Sequence, residues 1–217
     1  MKNFWIILSI SFMLLVAKAN ADMRFGVSAA YTQVEADGTE TEGGEKNSAS
    51  ASNDVVIPSL FVELSGERFS LGLDYIPLDA DVSNKTKKRT DTETSVTGNE
   101  DQVSTSRTQQ AQAEITDHFT LYATLALTDT FYLKGGMAQF TLNTEESLGT
   151  GSKYGNVDID GLVYGFGFTD GNSRLELAYT DYDDVSITSS VARTGVTTNN
   201  KISADLDTLS LKYSYAF

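Results

Sequence analysis

The chain has 217 residues, a formal charge of −14 and a composition that is 40% hydrophobic with 10% aromatic residues, too apolar to remain disordered. It contains no cysteine, which excludes disulfides, thiol nucleophiles and cysteine-ligated zinc or iron–sulfur centres. The acidic balance argues against nucleic acid as a partner, because phosphate binding needs clustered Lys and Arg.

The first element is "MKNFWIILSISFMLLVAKANA", with Lys2 before an apolar run from Phe4 to Ala17 and a small-x-small site at Ala19-Asn20-Ala21. This pattern predicts a signal peptide over residues 1–21, since the run is short of the ~20 residues of a membrane-spanning helix. The remaining 22–217 is expected to form one domain. Losing Lys2 and Lys18 takes its charge from −14 to −16.

From there, apolar residues recur at every second position, the signature of strands with two unlike faces. "RFGVSAAYTQ" places Phe25, Val27, Ala29 and Tyr31 on one face, and "VVIPSLFVEL" places Val56, Pro58, Leu60, Val62 and Leu64 there. "FSLGLDY" follows a short turn and gives Phe69, Leu71, Leu73 and Tyr75. The fourth strand, "QQAQAEITDHFTLYATLAL", is expected to keep one parity throughout. Ala111, Ala113, Ile115, Asp117, Phe119 and Leu121 would share the apolar face, opposite Gln110, Gln112, Glu114, Thr116, His118 and Thr120. "FYLKGGMAQF" and a hairpin about Thr169-Asp170-Gly171-Asn172 supply three more strands, the turn being marked by its Asp-Gly-Asn run. The eighth strand carries Leu209, Leu211, Tyr213, Tyr215 and Phe217.

Three connections are short (65–68, 128–130, 169–172) and the others long and polar (35–54, 79–106, 143–158, 183–204), in strict alternation. The second face carries Glu63, Asp74, Glu114, His118, Lys134, Arg174, Glu176 and Lys212. Apolar segments near the ~9–11 residues of a spanning strand, a leader, and aromatics beside the short turns place the apolar face outward against lipid. In lipid an open sheet edge leaves backbone groups unpaired, so the sheet must close. The prediction is an all-β fold, an eight-stranded antiparallel up-and-down transmembrane β-barrel with short periplasmic turns and long extracellular loops.

On these features the sequence resembles the small eight-stranded outer-membrane barrels of the OmpA transmembrane domain, OmpX and opacity-protein type. "DTFYLKGGMA" (129–138) looks like a strand start of that family, and the terminal "KYSYAF", with Tyr213, Tyr215 and Phe217, looks like its assembly signal. The resemblance implies the outer membrane of a Gram-negative bacterium, contact with lipid and lipopolysaccharide, handling by the outer-membrane insertion machinery, a monomeric state and no cofactor. It does not extend to a periplasmic peptidoglycan-binding domain.

Eight strands enclose a tube that side chains can fill. The inward Gly161, Val163, Gly165 and Gly167 leave room for long neighbours, and buried charges need partners. Lys134, Arg174 and Lys212 are therefore expected to pair with Glu63, Asp74, Glu114 or Glu176, plugging the lumen. A narrow water path, making the protein a small passive porin or carrier, is the alternative. His118 is the only histidine. Some barrels of this size modify lipids, but Thr120 stands where a serine would, and no nucleophile–base–orienter set is present; the reading is a lumen histidine and no enzyme. "DIDG" (158–161) and "DYDD" (181–184) lack calcium-loop spacing and are expected in solvated loops. Residues 35–54 hold six acids against Lys46, and the knot Lys85, Lys87, Lys88 and Arg89 is the candidate for contact with lipopolysaccharide phosphates. The hairpin bearing that knot is expected to project as a β ribbon whose edges suit strand addition.

Overall fold

In the computed structural model, residues 22–42, 45–81, 87–96, 102–147, 153–191 and 198–217 are described; the predicted leader and Lys85 lie outside them. Eleven strands form one sheet: β1 (Asp22–Glu42), β2 (Glu45–Ser65), β3 (Phe69–Ile76), β4 (Ala80–Asp81), β5 (Lys87–Val96), β6 (Gln102–Ala126), β7 (Phe131–Ser147), β8 (Val157–Asp170), β9 (Ser173–Tyr182), β10 (Val185–Thr188) and β11 (Lys201–Ala216). Because β3, β4 and β5 run in succession along β6, and β9 and β10 along β11, they make eight staves. All pairings are antiparallel, and β11 returns to β1 from Gly26↔Ala216 to Thr41↔Lys201. The result is a closed eight-stranded barrel.

Its outer wall is an apolar belt. On β8 the outward Leu162, Tyr164, Phe166 and Phe168 are exposed, and on β11 so are Leu209, Leu211, Tyr213 and Tyr215. Phe25, Phe69, Phe168 and Phe217 stand exposed beside the short turns, and the Phe131 ring packs 5.2 Å from that of Phe168. The two-residue turn Gly171-Asn172 uses a left-handed glycine (φ 59°), which a Cβ would strain.

Two of the long connections, 35–54 and 79–106, are largely strand among the described residues. The β1–β2 hairpin stays in register up to Glu42↔Glu45, and β5 pairs with β6 from Lys87↔Ala111 to Val96↔Gln102. Asp158 and Asp160 lie within β8 and Asp181 within β9, which corrects the expectation of acidic loops there.

A second correction concerns parity. Thr116 pairs with Thr141 but Phe119 with Gln139, so Asp117 and His118 together oppose Phe140. This is a β-bulge, and Asp117 is the one non-glycine with positive φ (53°) among the described residues. An extra residue shifts every residue upstream by one position. Ile115 therefore turns inward onto a buried apolar cluster, and Glu114 turns outward, opposite Asn143. That cluster is formed by Ala138, Phe140, Ile159, Val163, Ala178, Tyr182, Val185 and Ile187, so the barrel's long-loop half has an apolar core of its own.

Candidate functional site

Below the cluster, toward the short turns, the lumen is polar. Glu63 on β2 is completely buried, where an unpaired carboxylate would be costly. Arg174 on β9 donates two bonds to it, Nη1 to Oε2 at 2.5 Å and Nη2 to Oε1 at 2.6 Å, the paired-fork geometry that makes such contacts strong. Tyr122 Oη donates to Glu63 Oε2 at 3.0 Å. Lys134 Nζ donates to Glu176 Oε1 at 2.7 Å, and Tyr132 Oη to Oε2 of the same carboxylate at 3.1 Å. Lys212 Nζ donates to Asp74 Oδ2 at 2.6 Å. Three bases meet three acids, and each pair spans staves that are not adjacent. Glu63–Arg174 and Asp74–Lys212 reach past two intervening staves, and Lys134–Glu176 passes over β8. Lys134 Nζ also sits 4.3 Å from the centre of the Tyr122 ring, a cation–π contact.

Four inward glycines make room for four rings. The registered pairs are Gly26↔Phe61, Gly72↔Tyr122, Tyr132↔Gly167 and Gly161↔Tyr182. A Cβ on each glycine would come within 2.2–2.6 Å of its partner's ring or hydroxyl, so each aromatic lies flat over the opposite backbone. The glycines of β8 thus accommodate Tyr132 and Tyr182. This aromatic-on-glycine pairing extends to β1 and β3, where the sequence pattern had not singled it out.

The remaining site residues fall elsewhere. Glu114 is outside the lumen because the Asp117 bulge turns it outward. His118 faces inward but joins none of the ion pairs: its Nε2 hydrogen-bonds Tyr182 Oη at 2.8 Å, and its ring stacks on Phe140 with centroids 6.2 Å apart. Of Lys87, Lys88 and Arg89 the structure gives strand positions on β5. Tyr213, Tyr215 and Phe217 line the outer face at the closing seam, where Phe217 N donates to Phe25 O at 2.7 Å. Among the described residues no group of three or more His, Asp or Glu side chains could hold a metal ion.

At the short-turn end the lumen opens into a vestibule of about 390 Å³, lined by Arg24, Arg68, Glu67, Asp129, Tyr132 and Arg174 among others. Arg174 reaches this vestibule, while its partner Glu63 is fully buried.

No family model matches the chain, and no curated protein does. Among solved structures it is similar to Ail, the attachment invasion locus protein of Yersinia pestis, at 14% identity over 88% of this chain and 99% of that one, with a TM-score of 0.37. It is similar to Neisserial surface protein A at 12% identity over 89% and 97%, with a TM-score of 0.38. It is likewise similar to outer membrane protein AlkL, solved in lipid bilayers, at 12% identity over 89% and 90%, with a TM-score of 0.42.

Proposed function

We propose that the chain is an integral outer-membrane protein of a Gram-negative cell, exported with a cleaved leader. In this reading it is non-enzymatic and serves envelope structure or surface interaction through its extracellular hairpins. One observation carries the reading: around a closed barrel, a belt of large apolar side chains is exposed while Glu63, Asp74, Lys134 and Glu176 are buried inside and paired. In water that arrangement would expose a continuous apolar patch far beyond what a soluble monomer tolerates. In a bilayer it satisfies both faces, because every stave faces acyl chains and the sheet closes on itself through β1 and β11.

The three cross-lumen pairs and the apolar cluster above them support a plugged tube over a conducting one. The acidic β1–β2 hairpin and the basic start of β5 are the surfaces offered to partners, with lipopolysaccharide phosphates the chemistry suited to Lys85, Lys87, Lys88 and Arg89. The test is fractionation of cells expressing the full chain. The expected result is an outer-membrane protein whose unheated form migrates apart from its boiled form on gels, and which gives no steady conductance in planar bilayers. Recovery as a soluble periplasmic protein would overturn the membrane assignment, and steady conductance would overturn the plug.

A further inference from the structure

The chain has only two prolines, and each lies two positions beyond the end of the ladder that joins β2 to β3. The β2–β3 ladder runs from Ser65↔Ser70 to Leu60↔Tyr75; continued by two positions, it would place Pro58 opposite Pro77. It does not continue. Among the described residues no pairing joins β2 above Leu60 to β3, β4 or β5, although β2 remains paired to β1 throughout, including Ala29↔Pro58. Proline lacks the N–H that a ladder needs and is found in strands where one side is an edge. Here the open edge faces the neighbouring stave, so the wall has a notch.

The notch lies in the upper part of the apolar belt. Its outer rim is apolar and exposed: Val56 at 70%, Leu78 at 59%, and Tyr75 and Leu60 beside them. Behind the rim, half-buried Ile57 and Ile76 point inward, and His118, paired with Ile76 across the ladder, stacks on Phe140. The same inward row holds Ser59 and its partner Ser28. Both are buried, and among the described residues Ser28 Oγ, Ser59 Oγ and His118 Nδ1 have no hydrogen-bond partner. Buried polar atoms are almost always satisfied, so three orphans behind one gap mark a place where a ligand's polar end is accommodated.

We propose that this notch is a lateral port through which an alkyl chain from the outer leaflet enters the barrel wall. The chain packs against Ile57, Ile76 and the His118–Phe140 stack, with a polar end taken by the Ser28 and Ser59 hydroxyls. The proposal rests on the membrane reading above. The alkyl chain is that of a leaflet lipid or fatty acid, whose polar end meets the serine hydroxyls.

The test uses the folded protein in phospholipid vesicles with two photoreactive probes, a diazirine fatty acid and a diazirine alkane, and maps the labelled residues by mass spectrometry. Labelling of the inward Ile57, Ser59, Ile76 or His118 is the expected result. The fatty acid should label them well above the alkane, and equal inward labelling by the headless alkane would overturn the polar role given to the two serines. Labelling confined to outward positions such as Val56, Leu60 and Leu78 would overturn the port while leaving the membrane assignment intact, since those positions face lipid in either case. A second arm closes the gap reversibly in a chain that has no other cysteine, by Pro58→Cys with Pro77→Cys. Oxidation should abolish inward labelling and reduction restore it, with heat-shifted gel mobility unchanged. Inward labelling that persists when the disulfide has formed would overturn the proposal.

Discussion

Arg174 grips Glu63 with both of its terminal nitrogens across the lumen, joining two strands separated by 111 positions in sequence. The carboxylate is completely buried, so removing either partner leaves the other charge without its counter-ion. Glu63→Gln is expected to destabilise the barrel by about 3–5 kcal/mol, the range for breaking a buried pair. Glu63→Gln combined with Arg174→Gln should recover most of the loss, because no lone charge then remains. Urea unfolding in lipid vesicles reads both, and a double variant as unstable as the single one would show that geometry outweighs charge here.

The Gly72–Tyr122 pair gives a second test. A Cβ on Gly72 would lie 2.3 Å from the Tyr122 ring, whose hydroxyl bonds Glu63. Gly72→Ala must push the ring aside, at roughly the 1–3 kcal/mol of an overpacked core, and should loosen the Glu63 site with it. Gly135 is the control: it faces outward, and its nearest neighbour to a built Cβ is Val163 O at 4.0 Å. Gly135→Ala should leave the unfolding midpoint where it was or raise it slightly.

How far these features can be read from the sequence depends on how much contrast each leaves there. The staves are legible because lipid and lumen impose opposite chemistry on successive residues, so Leu209, Leu211 and Tyr213 alternate plainly with Ser210 and Lys212. That Lys134 and Arg174 need acidic partners follows from burial alone; which acid each meets depends on the spacing of staves around the barrel. The bulge leaves almost no trace, since Thr116-Asp117-His118 is polar on both sides of the slip, and Glu114 is assigned to the wrong face for that reason. The apolar cluster is hidden because Val157, Ile159, Val185 and Ile187 are scattered through Ser-, Thr- and Asp-rich segments that resemble loops. That Pro58 and Pro77 both stand just beyond the end of one ladder is visible only once the register is known.

The bulge itself is testable. Asp117 holds a left-handed backbone (φ 53°), a conformation that costs ordinary L-residues roughly 1–2 kcal/mol and glycine almost nothing. Asp117→Gly should leave stability unchanged or improve it, and Asp117→Val should lower it by about the same 1–2 kcal/mol. Deleting Asp117 removes the extra residue and keeps both registers: with His118 alone opposite Phe140, Thr116 still faces Thr141 and Ile115 still turns inward onto the apolar cluster. Hydrogen exchange should then show protection kept in β7 and β8 above Phe140 as well as near the Lys134–Glu176 pair, and protection lost above Phe140 would show that the bulge itself is needed there.

The terminal Phe217 separates folding from assembly. Its backbone N–H is bonded to Phe25 O, and its ring packs edge-on against Tyr215 with centroids 5.5 Å apart, 72% exposed on the outer face. The β1–β11 ladder from Gly26 to Thr41 does not depend on that ring. Phe217→Ala should therefore change the unfolding free energy in vesicles by less than ~1 kcal/mol, as a surface position contributes little to stability. If Tyr213, Tyr215 and Phe217 are the signal read by the insertion machinery, the same substitution lowers the yield of folded protein in the outer membrane several-fold. Equal yields for the two proteins in cells would leave the ring no role beyond its contact with lipid, whereas a matching loss of stability in vesicles would make the terminus a structural seam and nothing more.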